Sequence, residues 1–245
     1  MNDTLLTSEI SYSQVDCGMH VTLVALAKLI EDATTKFLSM KNLSGQELNN
    51  IYHAIIVVLR NHIYFHKRIH LGDIIEAKVD VIKKSSVAFI LRTNLFRMNE
   101  YDPLVTSYIQ LSSIDMQTRR LRNLDDFKAF KDLKVLKEDF SIKGLFNKYT
   151  QYNLQPETER EVLVESTDID YSNHLNNISY IRYFLNMLKS REIRHLPYKE
   201  MEVNYIKEAR EGEKVLIGYT KDDKDMYFRM QDKEGNILTK AKITL

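Results

Sequence analysis

The sequence has few of the features that mark a secreted, membrane-spanning or nucleic-acid-binding protein. Its one cysteine, Cys17, excludes an internal disulfide and favours a reducing compartment. Its 35 Lys+Arg and 34 Asp+Glu residues nearly balance, which argues against a general nucleic-acid binder. The N-terminus lacks a basic segment followed by an apolar one, and no apolar run is long enough to cross a bilayer. We therefore expect a cytoplasmic protein without a membrane span.

The rest of the composition predicts a globular protein. Hydrophobic residues make up 44% of 245 residues, a length that fits one large domain or two small ones. Two segments have apolar residues at helical spacing, and strand-forming segments follow each of them. Helices are predicted at 23–37 and 178–188, with a loop at 42–50. Strands are predicted at 9–15, 51–68, 74–83, 86–98 and 104–115, and again at 161–166, 198–209, 214–219, 226–231 and 237–245.

The two halves of the chain repeat each other. The run from Asp16 to His20 recurs at 170–174, at an offset of 154 residues (174 minus 20). The turn at Gly72 recurs at Gly212, at an offset of 140 (212 minus 72). Because loops vary more than helices and strands, the smaller offset fits shorter connections in the second half. The repeat predicts an α+β fold in which a long helix is wrapped by an antiparallel sheet, twice in one chain.

This repeat divides the chain into an N-terminal unit at 1–122, a helical linker at 123–158 and a C-terminal unit at 159–245. Within the linker, Asn123 is a fair helix N-cap, which predicts a charged helix after it. The apolar stripe of that helix would be formed by Phe127, Phe130, Leu133 and Leu136.

A polar run immediately before the second predicted helix concentrates groups that can act as acids or bases. It contains Asp168, Asp170, Ser172, Asn173 and His174. A helix start has unpaired N–H groups and partial positive charge, which suit an anion or a polarised carbonyl oxygen. A histidine beside such donors fits a hydrolytic site. The same residues also fit a helix cap with His174 on the surface, so this pattern alone leaves both interpretations open.

Three histidines, His62, His66 and His70, are spaced in a way that could suggest a metal site. In a strand, this spacing places them on one polar face. The carboxylate or thiolate partners that usually accompany such ligands are not spaced alongside. We therefore expect neither a metal nor another cofactor.

Two segments of the second half carry a family resemblance. The run from Asp168 to Asn177 resembles the D-x-D-x-N-x-H-x-N-N signature of the acyl-acyl carrier protein (acyl-ACP) thioesterases of plants and bacteria. The run at 204–209, NYIKEA, resembles the E-Y-R-R-E-C segment of the same family at the matching distance from the histidine. The resemblance spans nearly the whole chain. It implies a tandem, or double, hotdog fold and a fatty-acyl thioester hydrolase.

The resemblance places the active site on Asp170, His174 and Glu208, with two departures from the family pattern. Ser172 occupies the position of the family's asparagine, and it is shorter, with one donor where an amide has two. Either Ser172 fills that role through a water, or Asn173 does, or the site is modified. Ala209 occupies the position of the family's cysteine and cannot be a nucleophile.

The mechanism that fits these residues uses an activated water. Either Glu208 or His174 is the expected general base, with Asp170 orienting the pair. The start of the second helix would hold the carbonyl oxygen, and its residues there are Asn173, Asn176 and Asn177. A Ser172 nucleophile activated by His174 is the alternative. The first half has Arg68 where the second has Glu208 (208 minus 140), so we expect that half to shape the acyl pocket.

Acyl carrier protein, which is small and acidic, is the partner that the resemblance implies. Basic residues that could contact it are Arg119, Arg120, Arg122, Arg182, Lys189, Arg191 and Arg194. Two other functions stay open: an acyl-CoA thioesterase, and a non-catalytic acyl-binding or acyl-sensing protein suggested by Ser172. The oligomeric state is open too, a homodimer included, because a duplicated unit already supplies the pairing that single hotdogs obtain by dimerising.

Overall fold

The computed structural model describes residues 4–137, 145–146 and 155–245. Its helices are α1 (Leu23–Met40), α2 (Gly45–Tyr52), α3 (Lys128–Lys131), α4 (Asn177–Leu185) and α5 (Ser190–His195). Its strands are β1 (Leu6–Glu9), β2 (Ala54–Phe65), β3 (Ile74–Lys84), β4 (Phe89–Arg97), β5 (Val105–Asp115), β6 (Thr158–Leu163), β7 (Glu200–Tyr205), β8 (Lys214–Lys221), β9 (Asp225–Gln231) and β10 (Ile237–Thr244). None of the described helices combines the length and the apolar character needed to cross a bilayer.

All ten strands form one antiparallel sheet in the order β1-β3-β4-β5-β2-β7-β10-β9-β8-β6. The two halves of the sheet have the same strand order. Counted inward from its own edge, the first half is β1-β3-β4-β5-β2 and the second is β6-β8-β9-β10-β7. The halves meet where β2 pairs with β7, from Arg60 opposite Asn204 to Tyr64 opposite Glu200. Two equivalent sheets, each with its own helix, are thus joined edge to edge. The α+β double hotdog is confirmed.

Helix α1 packs against the sheet of the first half, and its apolar residues are buried as their spacing predicted. The Thr22 side chain caps it by accepting a hydrogen bond from the Ala25 N–H at 3.1 Å. Its contacts are with β3, β4 and α4. The buried residues extend around much of the helix, as contact with both the sheet and α4 requires: Leu23, Ala25, Leu26, Ala27, Leu29, Ile30, Ala33, Thr34, Phe37 and Leu38.

The second half differs from the prediction of one long helix. Helix α4 has nine residues, and after it the N–H groups of Met187 and Leu188 bond three residues back, to Phe184 and Leu185. This tighter spacing ends the helix near Asn186, a weak helix former. The six-residue α5 follows. The second hotdog therefore packs two short helices where the first has one long one.

The prediction of a loop at 42–50 is wrong, because α2 occupies most of this segment. The Ser44 hydroxyl accepts from the Glu47 N–H at 3.2 Å, and the Glu47 carboxylate accepts from the Ser44 N–H at 3.2 Å. This reciprocal capping box starts the helix. His53, in the left-handed conformation with φ 51°, ends it, so β2 begins only at Ala54.

The charged helix predicted after Asn123 is largely absent from residues 123–137. The Asn123 side chain caps a 3₁₀ turn at Leu124–Asp126 by accepting from the Asp125 N–H at 3.0 Å, and only the four residues of α3 are α-helical. Phe127, Phe130 and Leu133 of the predicted stripe are nevertheless buried. The burial of these apolar residues was predicted correctly, but they are not buried as the face of one regular helix. Much of the predicted linker lies outside the described residues.

The capping box of α2 can be tested by mutation. Ser44→Ala removes the acceptor for the Glu47 N–H, so we expect the free energy of unfolding, measured by chemical denaturation, to fall by about 1 kcal/mol. Ser39→Ala is the matched control, because Ser39 is exposed at the end of α1 and its hydroxyl makes no hydrogen bond to the described chain. Equal stability of the two variants would contradict the capping role.

Candidate active site

The predicted site residues lie on a tight turn just before α4. A 3₁₀ turn at Ser166–Asp168 leads into it, and an isolated bridge between Ile169 and Leu175 closes it. The Asp170 N–H donates to the His174 carbonyl at 2.9 Å, and Asn173 is left-handed with φ 62°. Helix α4 begins only at Asn177. The turn, and not the helix itself, therefore positions the histidine.

Asp170 holds this turn together through one carboxylate oxygen. Its Oδ1 accepts from the Ser172 N–H at 2.8 Å and from the Ser172 hydroxyl at 2.6 Å. The His174 N–H lies 3.4 Å from the same oxygen. Because a carboxylate only accepts, the Ser172 hydroxyl proton points to Asp170. Asp170 therefore fixes the direction of Ser172 and the backbone of His174.

His174 connects this turn to Glu208. The imidazole is buried, with Nδ1 3.3 Å from Ser172 Oγ and Nε2 3.1 Å from Glu208 Oε2. The four residues proposed as catalytic, Asp170, Ser172, His174 and Glu208, thus form one continuous chain of polar contacts.

Glu208 is placed by the segment that follows β7. The Leu175 N–H donates to the carbonyl of the next residue, Ala209, at 2.8 Å, which fixes this segment beside the turn. The Glu208 side chain is 42% exposed, against 10% for that of His174. Its neighbour Lys207 pairs with Asp232 at 2.7 Å and not with Glu208. Glu208 is therefore the member of the array with the most access to water.

Arg119 is a site residue that the sequence did not reveal. Its guanidinium pairs with Glu208 Oε1. It follows β5 in a left-handed position with φ 57°, in the other half of the chain. From the sequence it belonged to a basic cluster assigned to carrier-protein contact. Only the tertiary fold brings it across 89 positions to Glu208.

Helix α1 adds a further carboxyl group, that of Glu31, and this one comes from the first half of the chain. Burial, with further contributions from Asp32 and Asp170, raises the pKa of Glu31 to about 7. Burial and a neighbouring carboxylate both disfavour the charged form of a carboxyl group. Helical periodicity places Glu31 on α1 but does not show that it faces the turn of the other half.

Burial lowers the pKa of His174 below its ordinary value, as burial disfavours the imidazolium. Glu208 opposes this by attracting the charged form, and Arg119 adds to the lowering by repelling it. At neutral pH the imidazole is therefore neutral, with one nitrogen donating and one accepting.

The start of α4 offers fewer free donors than the sequence suggested. The Asn176 side chain caps the helix by accepting a hydrogen bond from the Ile178 N–H at 2.7 Å. The backbone carbonyl of Asn176 accepts from the N–H groups of Ser179 and Tyr180. Among the first four N–H groups of α4, only that of Asn177 has no acceptor in the described part of the chain. The Asn173 side chain is exposed on the turn.

Two other predicted features have structural roles. Asp168 is buried against Arg182 and the Tyr183 hydroxyl, and it accepts from the Glu165 N–H at 3.1 Å. Arg182 is therefore held in an internal ion pair. His62, predicted on a polar strand face, is instead buried, with Nε2 3.0 Å from Glu200 Oε2. No group of three or more metal-ligating side chains converges within the described ranges.

The charges around His174 predict how its titration responds to mutation. Glu208→Gln should lower the His174 pKa further, because it removes the attraction for the imidazolium, whereas Arg119→Gln should raise it. Titration of the imidazole by NMR measures both shifts. Arg120→Gln, on the exposed neighbouring residue, is the control and should leave the curve unchanged. Shifts of the same sign in the two active-site variants would refute the arrangement.

Comparison with known proteins supports the predicted resemblance. Residues 152–245 match the model of the acyl-ACP thioesterase C-terminal domain. The 12:0-ACP thioesterase from Umbellularia californica superposes with a TM-score of 0.84 at 15% identity, over 98% of this chain and 95% of that one. An acyl-ACP thioesterase from Bacteroides thetaiotaomicron gives 0.79 at 15% identity, over 98% and 96%. Compared by sequence with curated proteins, the chain matches none. Residues 152–245 are therefore similar to the C-terminal domain of the acyl-ACP thioesterases, within a double hotdog fold that spans both halves of the chain.

Proposed function

We propose that this protein hydrolyses fatty-acyl thioesters of acyl carrier protein and releases the free fatty acid. The observation that carries the proposal is the polar chain from Asp170 through Ser172 and His174 to Glu208, which lies within the segment matched by the thioesterase domain. The proposed reaction uses only these side chains and a water molecule.

The reaction begins with a water held by Glu208. Glu208 takes a proton from the water while the water oxygen attacks the thioester carbonyl carbon. The carbonyl oxygen becomes an oxyanion. When this intermediate collapses, the carbon–sulfur bond breaks and the thiolate leaves. A thiol with a pKa of about 8.5 leaves without much help from an acid. Glu208 then returns the proton, so that the products are a carboxylic acid and a thiol.

His174 and Arg119 position the base. The neutral imidazole donates its Nε2–H to Glu208 Oε2, and Arg119 holds Oε1. Two donors from different halves of the chain fix the carboxylate plane. Its greater exposure makes Glu208 the group that contacts water, so we assign it as the base and His174 as its partner.

The Asn177 N–H is the proposed oxyanion donor. It is the one amide of the first turn of α4 without an acceptor in the described chain, and the helix dipole adds partial positive charge there. A preorganised donor of this kind typically contributes roughly 100-fold to 1,000-fold in rate. Asn173 and Asn176 would then support the turn and the helix start.

Ser172 is proposed to orient His174, and not to attack the substrate. Its proton is directed to Asp170 at 2.6 Å, whereas the distance to His174 Nδ1 is 3.3 Å. A nucleophilic serine needs the opposite order, with its proton on the histidine. The hydroxyl oxygen can still accept from Nδ1 whenever His174 becomes charged. Ser172 thereby replaces the family's asparagine as a polar support on that side of the ring.

The two halves would divide the work, within the proposed boundaries of 1–122 and 159–245. The first half would shape the acyl pocket, since α1 reaches the active site with Glu31 and is apolar over most of its surface. The thioester end of the carrier protein would approach the second half. Exposed cations there and on the β5 turn could contact an acidic partner: Arg120, Lys189 and Arg191. Arg119 and Arg182 are already held in internal ion pairs.

Mutation of the array tests the proposed chemistry. We expect Glu208→Gln and His174→Ala each to lower kcat by roughly 100-fold to 10,000-fold, the range lost with a general base or its support. Free-thiol release from acyl-ACP measures the rate. Cys17→Ala and Glu211→Gln are the controls, an exposed cysteine and an exposed carboxylate outside the array, and both should keep full activity.

The same assay separates the alternative functions. Faster turnover of acyl-CoA than of acyl-ACP would assign the protein to the alternative acyl-CoA substrate. No turnover of either thioester would leave an acyl-binding or acyl-sensing protein. Activity that depends on Cys17 would overturn the proposed water mechanism.

Substitutions at Ser172 test its role separately. Ser172→Asn should keep most of the activity, because an amide can support His174 from the same side, whereas Ser172→Ala should lower kcat and leave KM nearly unchanged. Mass spectrometry after rapid quenching should show no acyl group on the protein. An acyl group on Ser172, or loss of all activity in Ser172→Asn, would support the nucleophile instead.

A further inference from the structure

The first half of the chain contains a pocket at the position equivalent to the candidate active site. This N-terminal pocket is a cavity of about 160 Å³ between the turn at His20, the end of β2 and the segment before β7. Its walls include Leu26, Phe65, Arg68 and Tyr198. From the second half it is lined by Pro197 and Tyr198, whereas the active-site turn lies near Glu31 of α1. The two sites are therefore separate.

The turn beside this pocket has the same geometry as the turn of the active site. The Asp16 N–H donates to the His20 carbonyl at 2.8 Å, and Asp16 Oδ1 accepts from the Gly18 N–H at 2.7 Å. Met19 has φ 62°, the same value as Asn173. The Val21 N–H donates to the Ile69 carbonyl at 2.9 Å, as Leu175 does to Ala209. This correspondence places Arg68 where the active site has Glu208.

Two residues differ between this turn and the active-site turn, and they change its chemistry. Arg68 Nη1 lies 3.1 Å from His20 Nδ1, and because a guanidinium only donates, that nitrogen must accept. Gly18 stands where the active site has Ser172, and a Cβ there would lie 2.8 Å from His20 Nδ1. His20 thus lacks counterparts of Glu208 and Ser172, and the carboxylate near it, Asp16 with Oδ1 3.8 Å from Nδ1, corresponds to Asp170. The N-terminal pocket is not a second hydrolytic site.

Arg68 carries a positive charge that has no counter-ion among the residues that the structure describes. It is half-buried, and its other hydrogen bonds go to two carbonyls, those of Leu196 at 2.9 Å and Arg194 at 3.4 Å. No carboxylate in the described residues lies within ion-pair distance of it. The nearest acid on the turn, Asp16, directs Oδ1 to the N–H groups of Gly18 and His20. A half-buried cation bonded only to neutral acceptors favours an anionic ligand.

Other groups around the pocket add positive charge and apolar surface. Lys67 lines the cavity and is exposed. Arg194 donates to the Cys17 carbonyl, and its Nε is buried without a partner in the described chain. The rest of the wall is mostly apolar, with Val21, Leu26, Phe65, Ile69 and Val105. A cationic group set against an apolar wall fits an anion that bears an apolar tail.

We propose that the N-terminal pocket binds the carboxylate of a free fatty acid, with Arg68 on the carboxylate and the first carbons of the chain against Leu26 and Phe65. The choice of a fatty acid rests on the proposed function, because this is the product that hydrolysis would release. The binding itself needs no turnover. A planar guanidinium matches a carboxylate through two parallel hydrogen bonds.

The test follows the His20 imidazole by NMR during titration with dodecanoate, in the full-length protein. We expect a saturable shift of the His20 signals, at least tenfold weaker binding in Arg68→Gln, and wild-type binding in the control Arg120→Gln. Arg68→Lys keeps the charge without the two-pronged geometry and should bind with intermediate affinity, which gives a second measurement if Arg68→Gln does not fold.

Three outcomes would overturn the proposal. Dodecanoate could shift His174 and leave His20 unmoved, which would confine the fatty acid to the active site. Dodecanol could shift His20 as strongly as dodecanoate, which would show that no anion is recognised. Inorganic phosphate could bind as tightly as dodecanoate, which would show that the tail is not recognised. Because the readout is binding at His20, a protein that fails to hydrolyse thioesters can still pass or fail this test.

Discussion

The pairing of β2 with β7 is the contact on which the rest of the molecule depends. It joins two five-stranded halves into one sheet and removes an exposed edge from each. Both proposed sites need it, since Arg119 reaches Glu208 from the first half and Arg68 reaches the Leu196 carbonyl in the second. Neither contact could form if the halves were separate.

The register of this junction is fixed by polar side chains as well as by the backbone. His62 lies opposite Glu202, with Nδ1 3.9 Å from its carboxylate, and Nε2 lies 3.0 Å from Glu200. Glu202 and His62 are both almost fully buried. A buried charge that loses its partner costs several kcal/mol, roughly 3 to 5. A shift of one residue between β2 and β7 would separate these groups, so the polar pairs oppose slippage of the two halves.

Much of the fold could be predicted because its signals are local and repeated. Strands β3, β4, β5, β8, β9 and β10 begin or end within three residues of the predicted bounds, and the offsets of 154 and 140 correctly identified the equivalence of Arg68 and Glu208. Helix α2 was missed although its capping box at Ser44 and Glu47 is visible in the sequence. The apolar spacing in 123–137 was mistaken for a helix, because irregular chain laid on a core buries apolar residues too.

The site was predicted less completely than the fold, for a physical reason. Asp170, Ser172 and His174 lie within five residues, so their proximity follows from one turn. Arg119 and Glu31 belong to the other half, and no periodicity in the sequence shows which residue of a turn or which side of a helix will face a site across the sheet. The carboxyl of Glu31 and the guanidinium of Arg119 could only be assigned once β2 and β7 were paired.

Arg119 shows why such a missed residue matters for the proposed mechanism. It holds Oε1 of Glu208, which leaves Oε2 for His174, and its charge disfavours a second positive charge on the imidazole. Burial acts on His174 in the same direction. The imidazole therefore stays neutral and can donate its Nε2–H to the proposed base, while the Asp170 carboxylate holds the Ser172 hydroxyl and contacts the backbone N–H of His174. In the first half an arginine replaces the glutamate itself, and the same turn then presents a cation where the second half presents a base. Under the two proposals, one pair of positions, 68 and 208, decides whether the common turn attracts an anion or activates a water.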